Sequence, residues 1–219
     1  MHLRSDSFQP YDFIDPKYAF GKAHATRHVE LSGNLNPHLA WSDVPEGTRS
    51  FALLAWDPEV PTVGTDVNQE GRSVPLDLPR ADFFHWVLYD LPADLREIAA
   101  GAHASGVTAR GKAPGAAPQG LQGLNDYTGW FAGDPDMAGD YGGYDGPCPP
   151  WNDTRVHAYI FAVYALDVPK LEVEGRADGA AVRRALTGHA LGSARITALY
   201  TLNPAVVARA DEKLGALGR

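Results

Sequence analysis

Four short apolar runs constrain the fold more than anything else in the chain: residues 50–57, 84–91, 157–166 and 194–201. They are rich in Val, Ile, Phe, Tyr and Trp, and Pro, Gly or Asp bounds them. Aromatic and β-branched side chains suit a pleated surface, and turn formers at the ends stop a strand. Several runs are apolar at successive rather than alternate positions, so both faces need cover and the strands belong inside a sheet. The pattern predicts a mainly β chain, a β-sandwich of mostly antiparallel strands with two C-terminal helices. In the first helix Asp178 caps, and Ala181, Val182, Ala185, Leu186 and Ala190 form an apolar stripe. The second runs from Ala205 to Leu217 with Pro204 at its start. Both are expected to pack on a sheet face.

Two long connections, 58–82 and 92–156, separate the strands. A structureless loop of that length is unusual, so each is either functional or holds small strands. Residues 1–24 are polar and mixed, and read as an N-terminal arm or short edge strand. Residues 126–151, rich in Gly, Asp and aromatics, read as a surface flap carrying Trp130, Phe131, Tyr141, Tyr144 and Trp151. Residues 1–219 are taken as a single domain. The net charge of −8 argues against broad binding to nucleic acid or anionic membranes. Cys148 is the only cysteine, which excludes an internal disulfide and suggests a reducing compartment. No stretch has the roughly 20 apolar residues of a membrane span, and residues 1–7 lack the apolar centre of a signal peptide. A cytoplasmic location is expected.

Chemistry-bearing residues gather at strand ends. One run closes on Asp57, followed by Pro58-Glu59-Val60-Pro61. Another opens with His85, and a third opens with His157-Ala158-Tyr159, preceded by Gly146-Pro147-Cys148-Pro149-Pro150. Antiparallel neighbours bring the end of one strand beside the start of the next, so Asp57 and His85 can meet at one rim and the 92–156 loop can return His157 to it. His157 and Tyr159 are two apart on a strand and share a face. The prolines stiffen the rim, and Gly146 allows a close backbone approach. One carboxylate, two imidazoles, a phenol and backbone donors suit a phosphate or similar oxyanion.

Asp57 to Pro61 followed by His85-Trp86, then Gly146 to Pro150 followed by His157 to Tyr159, resemble the two signatures of the phosphatidylethanolamine-binding protein family, which includes the Raf kinase inhibitor proteins. Gly188 to Tyr200 resembles the ending of its bacterial members, and the likeness covers roughly residues 25–202. The resemblance implies a small anion pocket for phosphate-type head groups, formed here by Asp57, His85, Gly146, Pro149, His157 and Tyr159. It also implies a non-enzymatic role, regulation of a kinase or other protein partner, and a homodimer. There are departures. Glu59 replaces a frequent second Asp, Ala158 replaces a usual Arg and removes a cation, and 63–82 and 126–145 look longer than in compact relatives.

Three other readings compete. Asp57, His85 and His157 form a two-His, one-carboxylate metal set, but without the usual ligand spacing. Asp134, Asp136 and Gly139 fit the first, third and sixth positions of a calcium loop, but Ala138 stands at the fifth, Asp145 rather than Glu at the twelfth, and no helices flank it. Cys148 near His157 suggests a nucleophile, but nothing beside it in sequence lowers its pKa. No metal, cofactor or catalytic residue is therefore assigned. A hydrolase acting on a small ester through the same His and Asp groups, and an interaction module built on the aromatic flap, are the alternatives.

Overall fold

The computed structural model describes residues 1–208. Its strands are β1 (His2–Arg4), β2 (Gly21–His24), β3 (His28–Leu31), β4 (Leu39–Ser42), β5 (Ser50–Pro61), β6 (Arg80–Pro92), β7 (Glu97–Ile98), β8 (Gly115–Ala116), β9 (Leu121–Gln122), β10 (His157–Leu166) and β11 (Ala190–Tyr200). Two helices, α1 (Tyr127–Trp130) and α2 (Gly179–Ala185), lie among them. A six-stranded sheet runs β11-β10-β5-β6-β9-β8, a three-stranded sheet runs β1-β4-β7, and β2-β3 is a separate hairpin. Every strand pairing in these sheets is antiparallel.

The successive apolar residues of β5 serve two cores. Phe51, Leu53 and Ala55 face a cluster shared with Leu39 and Trp41 of β4 and Ile98 of β7, so the small sheet covers one face. Ala52 and Leu54 face Val182 and Leu186 at α2, which covers the other. Asp178 caps α2 by accepting from the Ala181 N–H at 2.8 Å. The stripe read from the sequence ends earlier than expected. The helix stops at Ala185, Gly188 takes φ 86°, and Ala190 already begins β11. The second predicted helix, 205–217, falls mostly outside the described residues, within which 204–208 are helical. No described helix is long and apolar enough to cross a membrane.

Two segments are packed more deeply than their composition suggests. In the N-terminal arm, Phe8, Ile14 and Tyr18 join the main core, and Tyr11 and Ile14 donate backbone N–H groups to Thr197 and Leu199 of β11. In the flap, Tyr141 and Tyr144 are fully buried, and their hydroxyls donate to the carbonyls of Met137 and Tyr18. Burying two aromatic rings and satisfying both hydroxyls makes that part of the segment core rather than surface. Trp130 alone of the five flap aromatics is strongly exposed.

Candidate functional site

Strand register assembles the site. Asp57 continues the odd-numbered face of β5, and Tyr159 lies on the face of β10 that Phe161 and Val163 bury. On β6 the pairing jumps: Ala55 pairs with Trp86 but Trp56 pairs with Phe84, leaving His85 as the extra residue of a bulge. A bulge re-aims the side chain it carries. Here it turns His85 toward Asp145, whose carbonyl accepts from Nδ1 at 2.8 Å while its N–H donates to the His85 carbonyl at 2.9 Å. Asp145 is buried and held by Asn34 (2.8 Å), Asn125 (2.9 Å) and Lys112 (3.0 Å).

A cavity of about 430 Å³ opens above these residues. Asp57, His85 and Tyr159 form its polar floor, and Pro149 is in its wall. Apolar side chains make up most of the rest: Phe20 stacks on Tyr127 with ring centroids 4.5 Å apart, Tyr127 on Phe131 at 5.6 Å, and Val29 and Leu31 of β3 stand in the wall with them. Exposed Trp130 and Leu31 mark the mouth.

The other two expected site residues are elsewhere. Gly146 does not line the cavity. Its N–H donates to Asn34, its carbonyl accepts from the Tyr127 hydroxyl at 2.9 Å, and a Cβ there would come 2.1 Å from the Tyr18 carbonyl. The glycine is needed for backbone packing, not for approach to a ligand. His157 is fully buried beneath the floor. Its Nδ1 bonds Asp57 at 2.6 Å and its Nε2 bonds Asp153 at 3.2 Å. With both nitrogens on carboxylates, His157 has no donor left for a ligand, and it acts on the site through Asp57.

Beneath the floor runs a chain of charges. Asp57 also accepts from the Glu59 N–H at 2.7 Å, and Asp153 accepts from Arg80 at 2.5 Å. Burial opposes charging His157, but the Asp57 charge and the hydrogen bonds to both carboxylates overcome it and raise the ring to about 9. Burial likewise opposes ionising Asp153, but hydrogen bonds from His157 and Arg80 hold it at about 2. Two carboxylates and two cations therefore balance. His85 goes the other way: burial pushes its pKa down, against the pull of Asp57 and the Asp145 carbonyl. Burial and the adjacent Asp57 carboxylate keep the Tyr159 phenol protonated, well above its usual range. Burial also pushes the Cys148 thiol up to about 12.

The 62–79 segment closes one side, with Thr62, Gly64, Val67 and Asn68 in the wall. Asn152 grips it by its backbone. The amide donates to the carbonyls of Asp66, Gln69 and Arg72, and its oxygen accepts from the Asn68 N–H. Arg80 adds a bond to the Pro75 carbonyl at 3.1 Å. Asp153, Arg80 and Asn152 escaped the sequence reading, and Asp145 entered it only as a calcium-loop position. Only the spacing Asp153-x-x-x-His157 offered a signal, and on a loop that spacing has no fixed geometry.

The family model for phosphatidylethanolamine-binding protein matches residues 4–201. The UPF0098 protein YbhB of Escherichia coli is 36% identical over 170 residues, covering 77% of this chain and 82% of that protein. YbcL of the same organism is 32% identical, covering 78% and 73%. The crystal structure of E. coli YbcL, described as a new member of the mammalian PEBP family, superposes with TM-score 0.64 at 28% identity, covering 91% of this chain and 97% of that one. A putative phosphatidylethanolamine-binding protein homologue from Chlamydia trachomatis, CT736, gives TM-score 0.58 at 26% identity, covering 91% and 95%.

Proposed function

The chain belongs to the phosphatidylethanolamine-binding protein family, and on that premise we propose that it is a non-enzymatic binding protein whose cavity receives a phosphate-type or phospholipid head group. The carrying observation is a preformed cavity with a small polar floor of Asp57, His85 and Tyr159 under apolar walls, the usual build of a small-molecule site. Asp57, His85, Tyr159 and Pro149 would touch the ligand, and His157 would hold Asp57 from below.

Binding, rather than turnover, is favoured by the state of the side chains. Cys148 is too basic to be a thiolate near neutrality. His157 is spent on two carboxylates and offers no base to a nucleophile. Regulation of a kinase or another protein would then follow from ligand occupancy at the mouth, near Leu31 and Trp130. Self-association through the flap is not part of this reading, because Tyr141 and Tyr144 are core. We place the protein in the cytoplasm, in keeping with its single cysteine.

An oxyanion needs a donor on the floor. His85 becomes one at Nε2 when it takes a second proton, so anion binding should be coupled to proton uptake. Calorimetric titration of inorganic phosphate and phosphoethanolamine at pH 6 and pH 8 tests this. Affinity should rise toward pH 6 in the wild type and be lost in His85→Ala. Equal affinity in both proteins at both pH values would refute the anion reading.

A further inference from the structure

The floor of the cavity presents acceptors. Because His85 donates Nδ1–H to the Asp145 carbonyl, the neutral ring carries its lone pair on Nε2, and no described residue bonds that nitrogen. Asp57 adds carboxylate oxygens, and Tyr159, whose hydroxyl is itself engaged with the Asp57 carboxylate, adds its phenolic oxygen. Charged donors are missing. No Lys or Arg lines the cavity among the described residues, and the Tyr127 hydroxyl is committed to the Gly146 carbonyl. The donors in the walls are neutral: the Asn68 amide, the Trp130 indole, the Cys148 thiol and the Thr62 hydroxyl, which is committed to the Pro79 carbonyl. The groups around His85 are Asp57 from β5, Asp145 from the loop before β10, His157 and Tyr159 from β10, Tyr127 from α1 and Phe83 from β6. The Asp57–His157–Asp153–Arg80 chain is balanced, so it adds no net positive field.

A site of this kind leaves a bare anion facing lone pairs, and it satisfies a ligand that donates. We infer that, besides phosphate-type head groups, this cavity takes a second ligand class: uncharged molecules that join an apolar body to a hydrogen-bond-donating head, such as alcohols, phenols and primary amides. The head donates to His85 Nε2 or Asp57. The body, on the order of ten non-hydrogen atoms for a cavity of this size, lies against the Phe20–Tyr127–Phe131 stack and Val29. This inference rests on the reading that the cavity is the ligand site. It adds a charge rule: near neutrality the floor favours donors, and oxyanions enter only with a proton.

The full-length chain is titrated by calorimetry at pH 7.5 with benzyl alcohol, benzamide, benzyl methyl ether and benzyl phosphate, and with inorganic phosphate at pH 6 and 7.5. The alcohol and amide should bind saturably and at least about ten-fold more tightly than the ether, which has the body without the donor and leaves the acceptor unpaired. His85→Leu should erase the preference for alcohol over ether. If that variant fails to fold, the alcohol–ether comparison in the wild type decides alone. Alcohol binding no better than ether, or benzyl phosphate binding more tightly than benzyl alcohol at pH 7.5, overturns the inference and leaves the anion reading standing. Alcohols that bind while phosphate is silent at both pH values support the inference and sink the anion reading. Failure of every probe overturns both.

Discussion

Replacing His157 by Gln removes one charge from the middle of a buried chain of four and leaves Asp57 and Asp153 without the cation between them. The His157 side chain is fully buried, so solvent screening does little to reduce the effect. Its pKa of about 9 in the folded protein, against an ordinary 6.5, corresponds to about 3 kcal/mol of stabilisation. The raised value fixes the sign: the contribution is complete below about pH 6.5 and disappears as pH rises through about 9. Breaking a buried ion pair generally costs roughly 3–5 kcal/mol, the same range. Asp153, held at about 2, sets the opposite edge, with stability complete above its ordinary 3.8 and lost as pH falls toward 2. Urea unfolding followed by tryptophan fluorescence, with Trp86 fully buried as reporter, measures the difference between wild type and His157→Gln. The gap should be about 3 kcal/mol at pH 6, roughly half that at pH 8 and close to nothing from the charge at pH 10. Titrations common to both proteins cancel in the difference. A gap below ~1 kcal/mol at pH 6, or one that is equal at pH 6 and pH 10, would refute the buried imidazolium.

Three further outcomes follow from features already described. Because its surroundings hold the half-buried Cys148 thiol at about 12, a thiol reagent at pH 8 should modify the native protein far more slowly than the urea-unfolded one; equal rates would refute the raised thiol pKa. Asp178→Ala removes the acceptor for the Ala181 N–H and should lower stability by about 1 kcal/mol, read as a shifted urea midpoint with an unchanged slope. Asn152→Ala frees the backbone groups of Asp66, Asn68, Gln69 and Arg72, so limited proteolysis should cut within 64–74 faster than in the wild type; an unchanged pattern would mean that the segment holds itself.

The long strands were legible because their composition answers to burial on two faces, and the four apolar runs correspond to β5, β6, β10 and β11. β5 runs on to Pro61 because a register shift between Asp57 and Val60 lets Pro58 pass without a ladder bond. β7, β8 and β9 have two residues each, too few to show any period. Asp57, His85 and Tyr159 could be placed from strand ends, but the bulge that aims His85 is a matter of register, which one strand's sequence does not contain. The role of His157 was misjudged for a similar reason. Its second partner, Asp153, lies in a loop, and the partner of that residue, Arg80, stands at the start of β6, 73 residues away, and nothing local marks such a meeting. The cavity walls mix a hairpin, a short helix and a loop, so no single stretch carries their pattern.

Asn152 holds the 62–79 segment through three main-chain carbonyls and one main-chain N–H. Those groups are the same whatever amino acids the segment carries. The shape of that wall is thus largely decoupled from its side chains, and substitutions at lining positions such as Thr62 or Val67 can alter what the cavity presents while the backbone keeps its course. A lineage, or a protein engineer, could retune selectivity there by point changes on a fixed frame, leaving the charged floor and its buried support untouched.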